Sequence, residues 1–160
     1  LYRTKLIKLI FIKVNFTKKI VTQITPFALL VLITVGCSRD RVNNNNPYLA
    51  DLSFSIQVNL NLPLYSNLQF AGNSVKVNET NVGNRGIIVF NTGSGYVAFD
   101  GACPNQALSS CSTLTLNSSS ATCPCDDAVY SLFNGQAPGK QYPLKQYRAE
   151  LNGNTVVVSN

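Results

Sequence analysis

The chain reads as an all-β protein, an antiparallel sandwich or barrel built from residues 52 to 160 with a small loop-rich subdomain at about 100–140. Three observations lead there. Leu52, Phe54, Ile56, Val58 and Leu60 alternate with Ser53, Ser55, Gln57 and Asn59, the period-two pattern of a strand with one buried face. Short apolar runs then recur between Gly- and Asn-containing turns. No window of adequate length after Cys37 carries a helical period. A domain of roughly 110 residues is large enough to bury a core of its own.

Residues 1–36 read as an export signal. Arg3, Lys5, Lys8, Lys13, Lys18 and Lys19 make a basic start without an acid, Ile24 to Gly36 an apolar stretch, and Gly36 the small residue at its boundary. Even extended back to Ile20, the apolar stretch is near the short end of what spans a hydrocarbon layer of about 30 Å. Leu32-Ile33-Thr34-Val35-Gly36-Cys37 resembles the lipobox of bacterial lipoproteins, with Thr34 where an aliphatic residue is usual. Lipidation at Cys37 is the expectation; an uncleaved signal anchor or a plain secretory signal cut nearby are the alternatives. Residues 37–51 form a tether whose run from Ser38 to Pro47 is too polar to bury and is expected to stay mobile. The expected location is the cell envelope, held to the membrane by the N-terminal lipid and facing periplasm or cell surface.

The formal charge of +6 belongs to the leader. Six of the thirteen Lys and Arg precede residue 20, so seven remain after Cys37 against all seven Asp and Glu. The exported part is neutral, and a basic patch for nucleic acid is not expected.

After the first strand, Val75 and Val77 mark a short second one and Ile87 to Phe90 a continuous apolar one. Tyr96, Ala98 and Phe99 mark the next, across a hairpin at Asn91-Thr92-Gly93-Ser94-Gly95. Thr113 to Leu116, Val129 to Phe133, Gln146 to Leu151 and Thr155 to Val158 complete the set. Asn152-Gly153 predicts a type I′ hairpin turn between the last two.

Four cysteines follow Cys37, at 103, 111, 123 and 125. In an exported protein an even set reads first as disulfides. Zinc is the next reading, although Cys123-Pro124-Cys125 lacks the paired Cys-x-x-Cys spacing of zinc ribbons.

Cys103-Pro104-Asn105 and Cys123-Pro124-Cys125-Asp126 resemble the two metal-binding loops of a Rieske [2Fe-2S] domain with both histidines replaced, in a chain that has no histidine. The neighbouring residues fit in order: Val97-Ala98-Phe99-Asp100 before the first loop, Val129-Tyr130-Ser131-Leu132-Phe133 after the second. Asn134-Gly135-Gln136-Ala137-Pro138-Gly139, Pro143-Leu144, Tyr147 and a closing hairpin follow. The resemblance covers roughly the last 65 residues and implies a Rieske-like all-β fold with a cluster-binding type of loop subdomain.

Residue by residue, it places Cys103 and Cys123 at the thiolate positions of one iron and Asn105 and Asp126 at the histidine positions of the other. Cys111 and Cys125 match the second cysteine pair, which forms a disulfide between the loops in the high-potential branch. Here the first loop is longer, Cys111 lying eight residues after Cys103. Tyr130 matches an aromatic position able to donate a hydrogen bond to a ligand sulfur, and Asp127-Ala128 replaces the usual Gly-Ser. The carboxylate of Asp126 is a hard iron ligand and the amide of Asn105 a weak one, so a [2Fe-2S] cluster is expected to be absent or atypical. Two sulfurs that share an iron lie close together, so Cys103 and Cys123 are expected to close into a disulfide beside Cys111–Cys125, each contributing about 2 to 4 kcal/mol.

The absence of histidine excludes Ser-His and Cys-His nucleophile systems. Asp126 and Asp127 are adjacent, and neighbours in extended chain point to opposite sides. Gly93, Gly95 and Gly101 read as turn residues, because no helix follows them as a phosphate loop requires. No enzymatic activity is expected. Two functions are: a structural or interaction module that meets a protein partner at the loop tip, around Pro104-Asn105 and Asp126-Asp127, or an electron-transfer protein with an atypical [2Fe-2S] cluster.

Overall fold

The computed structural model describes residues 45–160; the expected export signal and the expected lipidation site, Cys37, lie outside the described residues. The described residues form nine strands and one 3-10 turn, Ser66–Gln69. The strands are β1 (Ser55–Asn59), β2 (Ser74–Val77), β3 (Ile87–Asn91), β4 (Tyr96–Asp100), β5 (Thr115–Asn117), β6 (Ser120–Thr122), β7 (Val129–Ser131), β8 (Gln146–Asn152) and β9 (Thr155–Ser159). They make a six-stranded sheet in the order β1-β9-β8-β4-β3-β2 and a three-stranded sheet in the order β5-β6-β7. Every strand pair is antiparallel, and the all-β class holds.

β8 joins two halves of the larger sheet. Its first residues, Gln146 and Tyr147, pair with Phe99 and Ala98 of β4, while Arg148 to Asn152 pair with β9. Between the halves lies a first core, to which β1 and β9 give Val58, Val156 and Val158 and the other half gives Val77, Ile87, Val89, Ala98 and Tyr147. The alternation read in the first strand holds: Phe54, Ile56, Val58 and Leu60 turn inward while Ser53, Ser55, Gln57 and Asn59 are exposed.

Ile87 to Phe90 of β3 are all apolar because the strand is buried on both faces. Ile87 and Val89 enter the first core; Ile88 and Phe90 enter a second, with Phe99, Leu114, Ala121, Tyr130, Leu132 and Leu144. The small sheet covers this second core and carries the cysteine loops.

Two local readings change. The last hairpin turns at Gly153-Asn154, since Asn152 still pairs with Thr155, and only Gly153 has positive φ, at 58°. That is a turn with Gly at the first central position, not a type I′ turn on Asn152-Gly153. The chain also joins the domain earlier than Leu52. Leu49 is buried, Ala50 exchanges hydrogen bonds with the Asn84 side chain (3.0 and 3.1 Å), and Asp51 pairs with the buried Lys145 ammonium at 2.9 Å.

Candidate functional site

Three loops meet at one end of the small sheet: Gly101–Leu114, Cys123–Ala128 and Ala137–Pro143. The first is fixed at its root by Asp100, fully buried at the end of β4. One Asp100 carboxylate oxygen accepts from the Ala102 amide (2.8 Å). The other accepts from the Asn84 amide (2.7 Å), the Asn84 side chain (2.8 Å) and the Tyr147 hydroxyl (2.6 Å). Burial and the Asp100 charge push the Tyr147 phenol well above its ordinary value. Gly101 follows because no side chain fits: a Cβ there would collide with the Arg85 carbonyl. The Cys103 amide donates to the Ser112 carbonyl at 2.8 Å, and the Leu114 amide to the Gly101 carbonyl at 2.8 Å, which closes the loop on itself.

Cys103 and Cys123 are joined by a disulfide, Cα to Cα 5.6 Å, and Cys111 and Cys125 by a second, 5.1 Å. The first is buried, each of its residues 1% exposed; in the second, Cys111 is exposed and Cys125 half-buried. The sulfurs of Cys103, Cys123 and Cys125 all lie within 4.8 Å of one another. Gln106 Nε2 donates to Cys123 Sγ at 3.6 Å, and the Ser109 hydroxyl lies 3.3 Å from Cys111 Sγ and 3.7 Å from Cys125 Sγ.

Asn105 and Asp126 both reach the third loop. Asn105 Nδ2 donates to the Tyr142 carbonyl (2.7 Å) and the Tyr130 hydroxyl (2.9 Å), while Asn105 Oδ1 accepts from the Tyr142 amide (2.9 Å). One Asp126 oxygen pairs with Lys140 Nζ at 2.6 Å and the other accepts from the Ala128 amide at 3.2 Å. The Lys140 hydrogen bond holds the Asp126 carboxyl below its ordinary value and raises the ammonium of Lys140 in return. Burial raises the phenol of Tyr130, and its hydroxyl meets Asn105 where a sulfur was expected as partner.

A Rieske-type cluster needs two free thiolates and two imidazoles. The residues as arranged do not fit it: Cys103 and Cys123 bind each other, and Asn105 and Asp126 have each polar atom engaged within the protein.

Sequence reasoning missed Gln106, Lys140 and Tyr142, which complete these contacts, and the strap over the first loop. There Asn46 Nδ2 donates to the Pro104 carbonyl at 2.8 Å, and the Tyr48 and Tyr142 rings meet edge to face at 6.0 Å. Part of the tether expected to stay mobile therefore lies against the domain. Of the expected loop tip, Pro104 is buried and Asn105 half-buried, leaving Asp126 and Asp127 exposed, with the exposed Pro124 next to them in the chain. Beside them, Gln136, Lys140, Gln141 and Tyr142 line a shallow hollow.

No family model and no curated protein matches the chain. Solved structures with similar folds include the oxygenase–ferredoxin complex of carbazole 1,9a-dioxygenase: 20% identity, 66% of this chain and 92% of that one, TM-score 0.46. A Sphingomonas yanoikuyae B1 ferredoxin matches at 19% identity over 57% of this chain and 88% of its own, TM-score 0.42. A Mycobacterium tuberculosis protein described as a NADH-dependent nitrite reductase small subunit matches at 15% identity over 69% and 97%, TM-score 0.42.

Proposed function

We propose that this chain is an exported, membrane-anchored protein of Rieske-like fold that lacks an ordinary cluster and serves as a structural or interaction module. One observation carries the reading. The residues at the two histidine positions, Asn105 and Asp126, tie their loops to Tyr142 and Lys140, while the thiolate positions Cys103 and Cys123 are bonded to each other. Every group that would hold the second iron instead holds loop to loop. The ordered run of motifs from Val97 to Tyr147, whose middle part forms a small sheet packed through the second core against β3 and β4, supports the Rieske-like assignment.

The contact surface for a protein partner is the exposed tip at Pro124, Asp126 and Asp127. Lipidation at Cys37 supplies the membrane attachment. Iron, acid-labile sulfide and visible absorption of anaerobically purified protein test the central claim: a colourless sample with four oxidised cysteines is expected, and a brown, EPR-active one ends it. The mass of the mature N-terminus, with Cys37→Ala as control, tests the anchor.

A second reading, electron transfer through an atypical [2Fe-2S] cluster, draws on the three cysteine sulfurs within 4.8 Å of each other. It requires reduction of Cys103–Cys123 and release of Asn105 and Asp126 from the third loop.

A further inference from the structure

The two disulfides stand side by side yet differ in access. Cys125 Sγ lies within 4.8 Å of both sulfurs of the inner Cys103–Cys123 bond, and that bond is closed to solvent at 1% exposure for each residue. Its outer partner, Cys111, is exposed. Disulfides exchange by attack of a thiolate on a sulfur, through a mixed disulfide, and access selects the sulfur attacked.

We propose that the outer disulfide is a thiol–disulfide exchange site for a dithiol reductant, and that Cys125 relays the exchange to the inner disulfide. A thiolate of the dithiol attacks Cys111 Sγ; the Cys111–Cys125 bond breaks and its electron pair goes to Cys125 Sγ, beside the Ser109 hydroxyl. The second thiol of the reductant attacks the mixed disulfide and releases Cys111. The reductant leaves as its own disulfide, having given the protein two electrons and two protons. Cys125 thiolate then attacks Cys103 Sγ, forming a Cys103–Cys125 bond and expelling Cys123 thiolate. This second step moves no net electrons, and the proton Cys125 gave up ends on Cys123. Gln106 decides the direction, because its Nε2 already donates to Cys123 Sγ at 3.6 Å and stabilises that sulfur as the leaving group.

The relay rests on the disulfide-clamped reading above, and the two fail differently: iron in the purified protein ends that reading before exchange is measured. In an iron-free sample, the purified chain is treated with limiting dithiothreitol, quenched in acid, alkylated and mapped by peptide mass. Label on Cys123 together with a Cys103–Cys125 link among two-thiol species is expected; label confined to Cys111 and Cys125 overturns the relay. Cys111→Ser, which leaves Cys125 as a thiol facing an intact inner bond, is expected to carry label on both Cys125 and Cys123 without any reductant. Label on Cys125 alone in this variant equally overturns it. In Cys125→Ser with unchanged circular dichroism, reduction of the inner disulfide by dithiothreitol is expected to slow at least tenfold, and an unchanged rate counts against the relay.

Discussion

The side-chain amide of Asn105 faces the backbone of Tyr142 on both its atoms, at 2.7 and 2.9 Å, and reaches the buried Tyr130 hydroxyl with its remaining hydrogen. Asparagine suits the place because it offers two donor hydrogens and an acceptor in one plane. Asn105→Ala leaves three groups without their partner and is expected to cost about 2 kcal/mol in urea unfolding. Asn105→His does not reproduce the three bonds and is expected to destabilise the fold comparably, without iron uptake.

Asp126 supplies a pH dependence whose sign follows from its partner. Its carboxyl is held below the ordinary value by Lys140, so its contribution is complete above the unfolded value of about 4 and is lost as pH falls through the lower, folded one. The Asp126→Asn variant is expected to lose that acid-side slope in stability measured against pH. Because the pair is partly exposed, added salt is expected to weaken it.

Tyr147→Phe removes one of the hydrogen bonds that hold the buried Asp100 carboxylate. A bond to a charged group inside the fold is worth about 2 kcal/mol, and a loss of that size is expected in chemical denaturation. Since the phenol of Tyr147 is raised, its share of stability is present below about pH 10 and lost as pH rises further.

The outer and inner disulfides span 14 and 20 residues. Replacing both members of the outer pair by alanine is expected to cost about 3 kcal/mol. The inner pair is expected to cost more, because its two sulfurs fill the second core. Thermal melting of both double variants checks the order.

Asp127 has φ of 53° at the position where the family resemblance expects glycine. Asp127→Gly is expected to stabilise the fold by about 0.5 kcal/mol, since glycine adopts this region without a Cβ penalty.

Strand identity was legible wherever burial repeats along the chain. β1 has it as alternation, β3 as a continuous run. β6 was invisible, since Ser120-Ala121-Thr122 presents one buried alanine between two partly exposed polar residues. The cysteine pairs and Asn105, Asp126 and Tyr130 were legible as an ordered motif. Their partners were not: Lys140 and Tyr142 stand 14 and 37 residues away from Asp126 and Asn105, in a Pro- and Gly-containing loop whose path depends on the assembled fold. Nothing in Asn46 or Tyr48 as residues foretells a strap, because an Asn-rich run reads as solvated until the surface beneath it is known.

β3 gives one pair of side chains to each core, so neither core keeps its wall if this strand leaves. The cysteine-bearing part and the larger sheet are accordingly expected to melt in a single transition rather than as two subdomains. A disturbance at the loops is thereby felt as a change in the global melting point, even though the loops lie on the opposite side of β3 from the first core.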